Sequence, residues 1–399
     1  MTIKTFKDKT LLVISPWFPD EHNTKIVGIF VKDQVAALGK YFKEIIVMSP
    51  RPHGIDRDLK NYSWGNIRVY YPRFFHIPVS YFRKRYPDNS AKAILKIIHR
   101  EKIKVDLIHS HFTSAGIIGL RLKSVLNIPM VITVHENPEW FLREYHSGNE
   151  TVYSAWKNAN ALIRVNKKDF ELLKNFNNNV FYVPNGFDSS LFREVDKIIA
   201  RKQLGIPIGK KIILNVANLV PIKGHEYLIS AMERVVKARD DILLIIIGNG
   251  PLRHKLEKQI KILNLEHHVK LVGAKPHQEI PLWMNAADTF VLSSLKESFG
   301  VVVIEALAVG TPVVATVNGG SEQIITSKDY GLLAEPANAE DLAEKILIAL
   351  EKEWDREKIR QYAKQFTWDN VAKKILEIYS CVIMEKEGKL CTPETIPML

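Results

Sequence analysis

The stretch Ser293-Ser294-Leu295-Lys296-Glu297-Ser298-Phe299-Gly300-Val301-Val302-Val303-Ile304-Glu305-Ala306 decides how the chain is read. An apolar run of strand length ends at Leu292, a loop of small residues follows, and a helix begins near Phe299. Strand, loop and helix in that order make one step of an α/β fold. The first backbone N–H groups of a helix lack intrahelical partners, and Gly300 lets another group come close, so the turn suits an anion such as a diphosphate. Glu297 precedes the helix. Glu305 lies within it and leans toward its N-terminus. Carboxylates accept paired hydrogen bonds from sugar hydroxyls, so the residues describe a nucleotide-sugar pocket. They equally suit a plainer role, with Glu297 capping the helix and Glu305 solvated on its surface.

Working outward, short apolar runs alternate with amphipathic ones along the chain. Strands are expected at 11–15, 44–49, 67–71, 106–109, 130–135, 161–165 and 180–183, and again at 212–217, 242–247, 269–272, 289–292 and 312–315. Residues 31–38 and 226–236 carry apolar side chains at helical spacing. Strands alternating with helices imply parallel sheets covered on both faces. Pro184-Asn185-Gly186-Phe187-Asp188-Ser189-Ser190 is turn chemistry without periodicity, a charged span 193–211 follows, and the strand count then restarts. Two Rossmann-like domains are expected, 1–192 and 193–366, followed by an amphipathic helix over 367–384 and a tail over 385–399.

Composition narrows the function classes. The chain has 399 residues, 46% hydrophobic and 25% charged, as in ordinary globular proteins. Apolar runs such as 242–247 last about six residues, short of the ~20 that cross a membrane. The charged start at 1–10 and the strand-length run after it give no expectation of a secretory leader. Cys381 and Cys391 are too few for a disulfide framework or a cysteine zinc site, so a reducing, cytoplasmic setting is expected. Net charge is 56 − 44 = +12, which favours anionic partners. Nine Lys/Arg against two acids fall within 73–104, interleaved with Phe74, Phe75, Tyr81, Phe82 and Tyr86. The helix over 91–103 places Ile94, Ile97 and Ile98 on one side, with Lys92 and Lys96 elsewhere. That mixture suits an anionic membrane surface, at the inner face of the membrane, or a lipid-phosphate acceptor. It also suits a solvated helix beside core aromatics. No nucleic-acid-binding fold is visible.

Glu297-x7-Glu305, with Ala306-Leu307-Ala308-Val309-Gly310-Thr311-Pro312 and Gly319-Gly320 after it, resembles the donor-site signature of glycosyltransferase family four, the retaining GT-B enzymes also called glycosyl transferases group one. Pro184-Asn185-Gly186-Phe187-Asp188 resembles the family's domain junction, Lys223-Gly224 its diphosphate lysine, and Gly248-Asn249-Gly250-Pro251-Leu252 its second-domain glycine loop. The helix opening at Phe366-Thr367-Trp368 resembles the one that crosses back onto the first domain. The resemblance implies two Rossmann-like domains facing across a cleft, and transfer of a hexose from a UDP- or GDP-sugar to an acceptor hydroxyl with retention. The acceptor would be a glycan or lipid-linked sugar bound by the first domain. It implies that Glu305 holds the ribose, that Glu297 contacts the donor hexose, that Ser298, Phe299, Gly300 and Val301 lend backbone groups, and that Lys223 neutralises the leaving diphosphate. No cofactor and no metal are expected besides the donor itself. Asn218 stands where the family usually has an arginine, and Gln323 where it usually has an acid, so Glu322 receives no role.

In the first half, Leu107-Ile108-His109-Ser110-His111 ends a strand, where ligands of α/β sheets gather. By resemblance His111 hydrogen-bonds the transferred sugar. His135 contacts donor or acceptor, and the loop reaching Gly28 covers the phosphates. His109 reads as a packed strand residue. Asp56-Arg57-Asp58 spells a metal-binding triplet of another fold, by chance in a polar loop. Rival readings are an epimerase or hydrolase of nucleotide sugars on the same fold, and a non-catalytic sugar-binding or scaffold protein.

Overall fold

Leu11, Leu12, Val13 and Ile14 are all fully buried. A strand inside a parallel sheet has no solvent face, so its apolar residues run on without alternating. The structure is a computed structural model describing residues 5–23, 28–76 and 85–386. The expected aromatic and basic residues Tyr81, Phe82, Arg83 and Lys84, and Cys391 in the tail, lie outside the described residues.

The chain divides into two units, one comprising residues 1–185 and 368–399, the other residues 186–367. The division falls between Asn185 and Gly186, inside the turn segment rather than after Phe192. The strands of the first unit are β1 (Phe6–Ile14), β2 (Phe42–Met48), β3 (Arg51–Pro52), β4 (Tyr62–Trp64), β5 (Ile67–Tyr70), β6 (Arg73–Phe74), β7 (Leu107–His111), β8 (Met130–Val134), β9 (Ala161–Arg164) and β10 (Val180–Tyr182). Eight of them form one sheet in the order β10-β9-β8-β7-β1-β2-β5-β4. The sheet is parallel except at its edge, where β4 runs antiparallel to β5. Strands β3 and β6 pair separately.

The second unit contains β11 (Lys211–Val216), β12 (Ile242–Ile247), β13 (Val269–Gly273), β14 (Thr289–Leu292), β15 (Val313–Thr316) and β16 (Gly331–Ala334). They form a parallel sheet in the order β13-β12-β11-β14-β15-β16. In each sheet the strand order reverses once beside a central strand, between β1 and β7 and between β11 and β14. Helices cover the two faces there in opposite senses, so the loops at the carboxyl ends part and leave a crevice.

The last helix, Trp368–Lys386, buries Trp368, Val371, Ala372, Ile375, Leu376, Ile378, Tyr379 and Val382 at three- and four-residue spacing. These join a core with Leu11 and Val13 of β1, Leu107 of β7 and Val131 of β8. The helix thus completes the first unit, as the family resemblance implied. Cys381 lies on this helix. Among the described residues, no helix is long and apolar enough to cross a membrane.

The basic stretch is partly structural. Arg73 donates to the carbonyls of Ile55 and Asp56 at 2.5 and 2.6 Å. Its helix runs Tyr86–Arg100, earlier than expected, because Pro87 supplies a preset first turn. Asp56 accepts from Arg51 Nε at 3.2 Å.

Candidate active site

In the second unit, the loops after β11 and β14 are tied together. Leu295 N–H donates to the Ile222 carbonyl at 2.8 Å, and Ser293 Oγ donates to the Lys223 carbonyl at 3.0 Å. Lys223 closes a single 3-10 turn, Pro221–Lys223, and Gly224 after it has φ 63°. A β-carbon on Gly224 would strike the Ser293 carbonyl oxygen. Gly224→Ala is therefore expected to destabilise the second unit by about 1–3 kcal/mol, through overpacking and an unfavourable backbone. A calorimetric melt with an unshifted transition would contradict this.

That clamp sets Lys223 against Glu297. Lys223 Nζ lies 2.5 Å from Glu297 Oε1, which also accepts from Ser294 Oγ at 2.7 Å. Glu297 N–H donates to the Asn318 carbonyl at 2.8 Å, fixing the approach to the helix Val301–Ala308. Among the described residues no side chain caps that helix, so the reading of Glu297 as its cap does not hold. Nor is Glu305 solvated: it is 6% exposed and meets His277 Nε2 at 3.3 Å. The His277 ring packs edge-on to Phe192. Phe299 is buried against Phe366, Gly300 precedes the helix, and Ser298 and Val301 are half-buried beside it.

Asn218 is exposed after β11, and its carbonyl accepts from Val220 N–H at 2.8 Å. The glycine loop after β12 is joined to it, since Leu219 N–H donates to the Asn249 carbonyl at 2.9 Å. Glu322 accepts from the N–H groups of Asn318 and Gly319, a use internal to its own turn. Lys223, Glu297 and the uncapped helix start thus stand at the carboxyl ends of β11 and β14, where the strand order reverses. Glu305 lies in the second turn of the same helix.

In the first unit, β7 and β8 carry three buried histidines. His109 is bonded on both ring nitrogens, to Thr133 Oγ1 at 2.7 Å and to the Tyr379 hydroxyl at 2.6 Å. It is a core strut between sheet and last helix. His111 Nδ1 and His135 Nε2 are 2.9 Å apart, their rings nearly parallel. Burial holds His109 at about 3 and pushes His111 and His135 well below the ordinary imidazole value, helped by the neighbouring imidazoles. All three are neutral at pH 7, so His111 can offer a hydrogen bond but no charge. Its Nε2 is buried with no hydrogen-bond partner among the described residues.

Gly28 starts the helix Ile29–Gly39 with φ 85°, and a β-carbon there would strike the Trp17 carbonyl. Residues 16–23 are pinned: Arg51 donates to the Pro16 carbonyl, Tyr71 to the Pro19 carbonyl, and Lys32 to Asn23 Oδ1, each at 2.6 Å.

Comparison with known proteins identifies the chain. Residues 196–366 match the glycosyl transferases group 1 and residues 27–191 match glycosyltransferase family 4. An uncharacterized glycosyltransferase of Methanocaldococcus jannaschii is 31% identical over 298 residues, covering 73% of this chain and 79% of the relative. A D-inositol 3-phosphate glycosyltransferase of Corynebacterium urealyticum is 28% identical over 325 residues, with 74% and 76% covered. Anabaena HepE, solved in complex with UDP, aligns with TM-score 0.72 at 22% identity, covering 93% of this chain and 99% of that one. The chain belongs to glycosyltransferase family four, and it is a glycosyltransferase of GT-B fold.

Several supporting residues escaped the sequence reading. His277 reaches Glu305 from 28 positions away, and Arg164 reaches Val134 from 30. Glu136, next to His135, was the one such residue whose position could have drawn notice.

Proposed function

We propose that this glycosyltransferase transfers a hexose from a nucleotide diphosphate sugar to an acceptor hydroxyl, retaining the anomeric configuration. The observation that carries the reading is the grouping of Lys223, Glu297, Glu305 and an uncapped helix start at the carboxyl ends of β11 and β14. The helix N-terminus and Lys223 receive the diphosphate. Glu305 receives the ribose hydroxyls and Glu297 the hexose. Asn218, beside the glycine loop, borders the nucleotide, and the backbone of Ser298, Phe299, Gly300 and Val301 faces sugar and phosphates. Charge developing on the leaving phosphate is met by Lys223, so no metal ion or other cofactor is required. A leaving phosphate oxygen takes the proton of the incoming hydroxyl on the same face of the sugar, which preserves configuration. The UDP bound by Anabaena HepE supports a nucleotide donor.

The first unit supplies the acceptor side, where neutral His111 and His135 hydrogen-bond sugar hydroxyls. The acceptor is a lipid-linked sugar or a cell-surface glycan precursor. The exposed Phe75, together with Lys92 and Lys96, supports contact with an anionic membrane.

The test is a panel of UDP-, GDP- and ADP-sugars followed by titration calorimetry, with anomeric couplings of the product read by proton NMR. Glu305→Ala is expected to weaken the binding of the accepted donor roughly 10- to 100-fold, as loss of hydrogen bonds to a charged acceptor costs about 1.5–3 kcal/mol. Turnover is expected to persist in excess EDTA. Unchanged donor affinity in the variant would sink the assignment. Free or epimerised sugar formed without acceptor would move the chain to a hydrolase or epimerase.

A further inference from the structure

The turn that follows His111 is strained. Phe112 has φ 72° and ψ 152°, a region that residues with a β-carbon scarcely occupy. Such a conformation persists only where the surroundings over-determine it. Here both flanking amides are held. Phe112 N–H donates to the Thr133 carbonyl at 2.8 Å, and Thr113 N–H donates to Glu136 Oε1 at 2.8 Å. The Phe112 ring is trapped edge-on to Trp17 at 4.9 Å and tilted on His135 at 4.9 Å.

Glu136 is itself fixed. Its carbonyl and that of Val134, on either side of His135, accept from Arg164 Nη1 at 2.7 and 2.9 Å. Arg164 is fully buried and forked onto Asp169 at 2.8 Å through each of two nitrogens. One network therefore sets the backbone of His135 through Arg164, and the turn after His111 through Glu136.

We propose that Glu136 is a positioning residue for the transfer reaction: its carboxyl locks the strained His111-Phe112-Thr113 turn and so aims His111 Nε2 at the transferred sugar. This rests on the reading above that His111 contacts that sugar. Accepting the Thr113 N–H needs a carboxyl or amide oxygen, not a negative charge. Burial favours the neutral form of Glu136, and that of Glu144, which also approaches the Thr113 hydroxyl. Glutamine at 136 can therefore do the same work, and alanine cannot.

The test uses the full chain carrying Glu136→Gln, Glu136→Ala, Phe112→Gly, the Glu136→Ala/Phe112→Gly pair and His111→Ala. Glycine adopts the turn's backbone freely, so it should remove the need for the lock. Glu136→Ala is expected to lower kcat roughly 10- to 100-fold with donor KM nearly unchanged, as a misaimed group does. Glu136→Gln should stay within about threefold of the parent, and the alanine penalty should shrink to about threefold on the Phe112→Gly background. Histidine ring signals in 15N-correlated NMR report the aim of His111 without reference to turnover, and Glu136→Ala should move them. The proposal is overturned if those signals stay in place, if glutamine harms as much as alanine, or if the alanine penalty is equal in both backgrounds. Should Glu136→Ala fail to fold, the glutamine variant and the pair on the glycine background decide the matter. If His111→Ala keeps full activity, the contact of His111 with sugar is wrong, and the NMR arm still judges the lock.

Discussion

Lys223→Ala is expected to lower kcat by roughly 10²–10³, equivalent to about 2.7–4 kcal/mol, with a smaller effect on donor affinity. On the proposed reaction, negative charge grows on the diphosphate as the donor bond breaks, and a cation already held in place stabilises it without reorganising. Lys223 is so held: its turn is tied to the loop after β14, and Nζ sits 2.5 Å from Glu297. Asn218, where relatives usually carry a second cation by the family resemblance, contributes no charge. The burden on Lys223 is correspondingly greater, and Asn218→Arg should raise donor affinity. Steady-state kinetics on the best donor decide the point. A fall in kcat of less than about threefold for Lys223→Ala would remove it from the reaction.

The largest stability effect should come from Arg164→Ala. The guanidinium is wholly buried, makes four hydrogen bonds and packs 4.5 Å over the Phe141 ring. Alanine leaves the Asp169 carboxylate, 11% exposed, without its partner and two buried carbonyls without a donor. Breaking a buried pair from one side costs about 3–5 kcal/mol. For a unit of this size that corresponds to a fall in melting temperature on the order of 10 °C. Asp169→Asn in the same chain should return part of the loss, because the stranded charge is gone. Differential scanning calorimetry should show the transition of the first unit displaced and that of the second kept. Displacement of less than about 2 °C would show that water reaches the site and replaces the arginine.

Much of this fold is legible because its strands are buried on both faces. Ile242 to Ile247 has no polar residue to confuse the reading, and every expected strand has a counterpart in the sheets. The exceptions are informative. Strand β4 is an edge strand with half-buried residues and an antiparallel partner, so it lacks the apolar run that marks its neighbours. Strand β16 is four residues long and begins with Gly331. Among the candidate residues, Lys223, Glu297 and Glu305 of the second unit and His111 of the first are picked out in the sequence because motifs place them at strand and helix ends. Phe112 could not be found that way: nothing in His111-Phe112-Thr113 signals a positive φ, which arises from amides held by Thr133 and Glu136 more than twenty positions away. Nor could pattern alone choose between a solvated and a buried Glu305. That choice is made by His277 and by the packing around Val303 and Ile304.

The last helix carries a consequence for how the chain is made. The second unit is one uninterrupted stretch, residues 186–367, whereas the first is closed by residues that come after it. Domains fold as they leave the ribosome, earlier ones usually first. Here the earlier one must wait. While residues 186–367 are being translated, Leu11, Val13, Leu107 and Val131 have no Tyr379, Ile375 or Val371 to cover them, and His109 lacks one of its two ring partners. The unit whose synthesis begins first is finished last, and during that interval its exposed apolar face is the part of the nascent protein most in need of a chaperone.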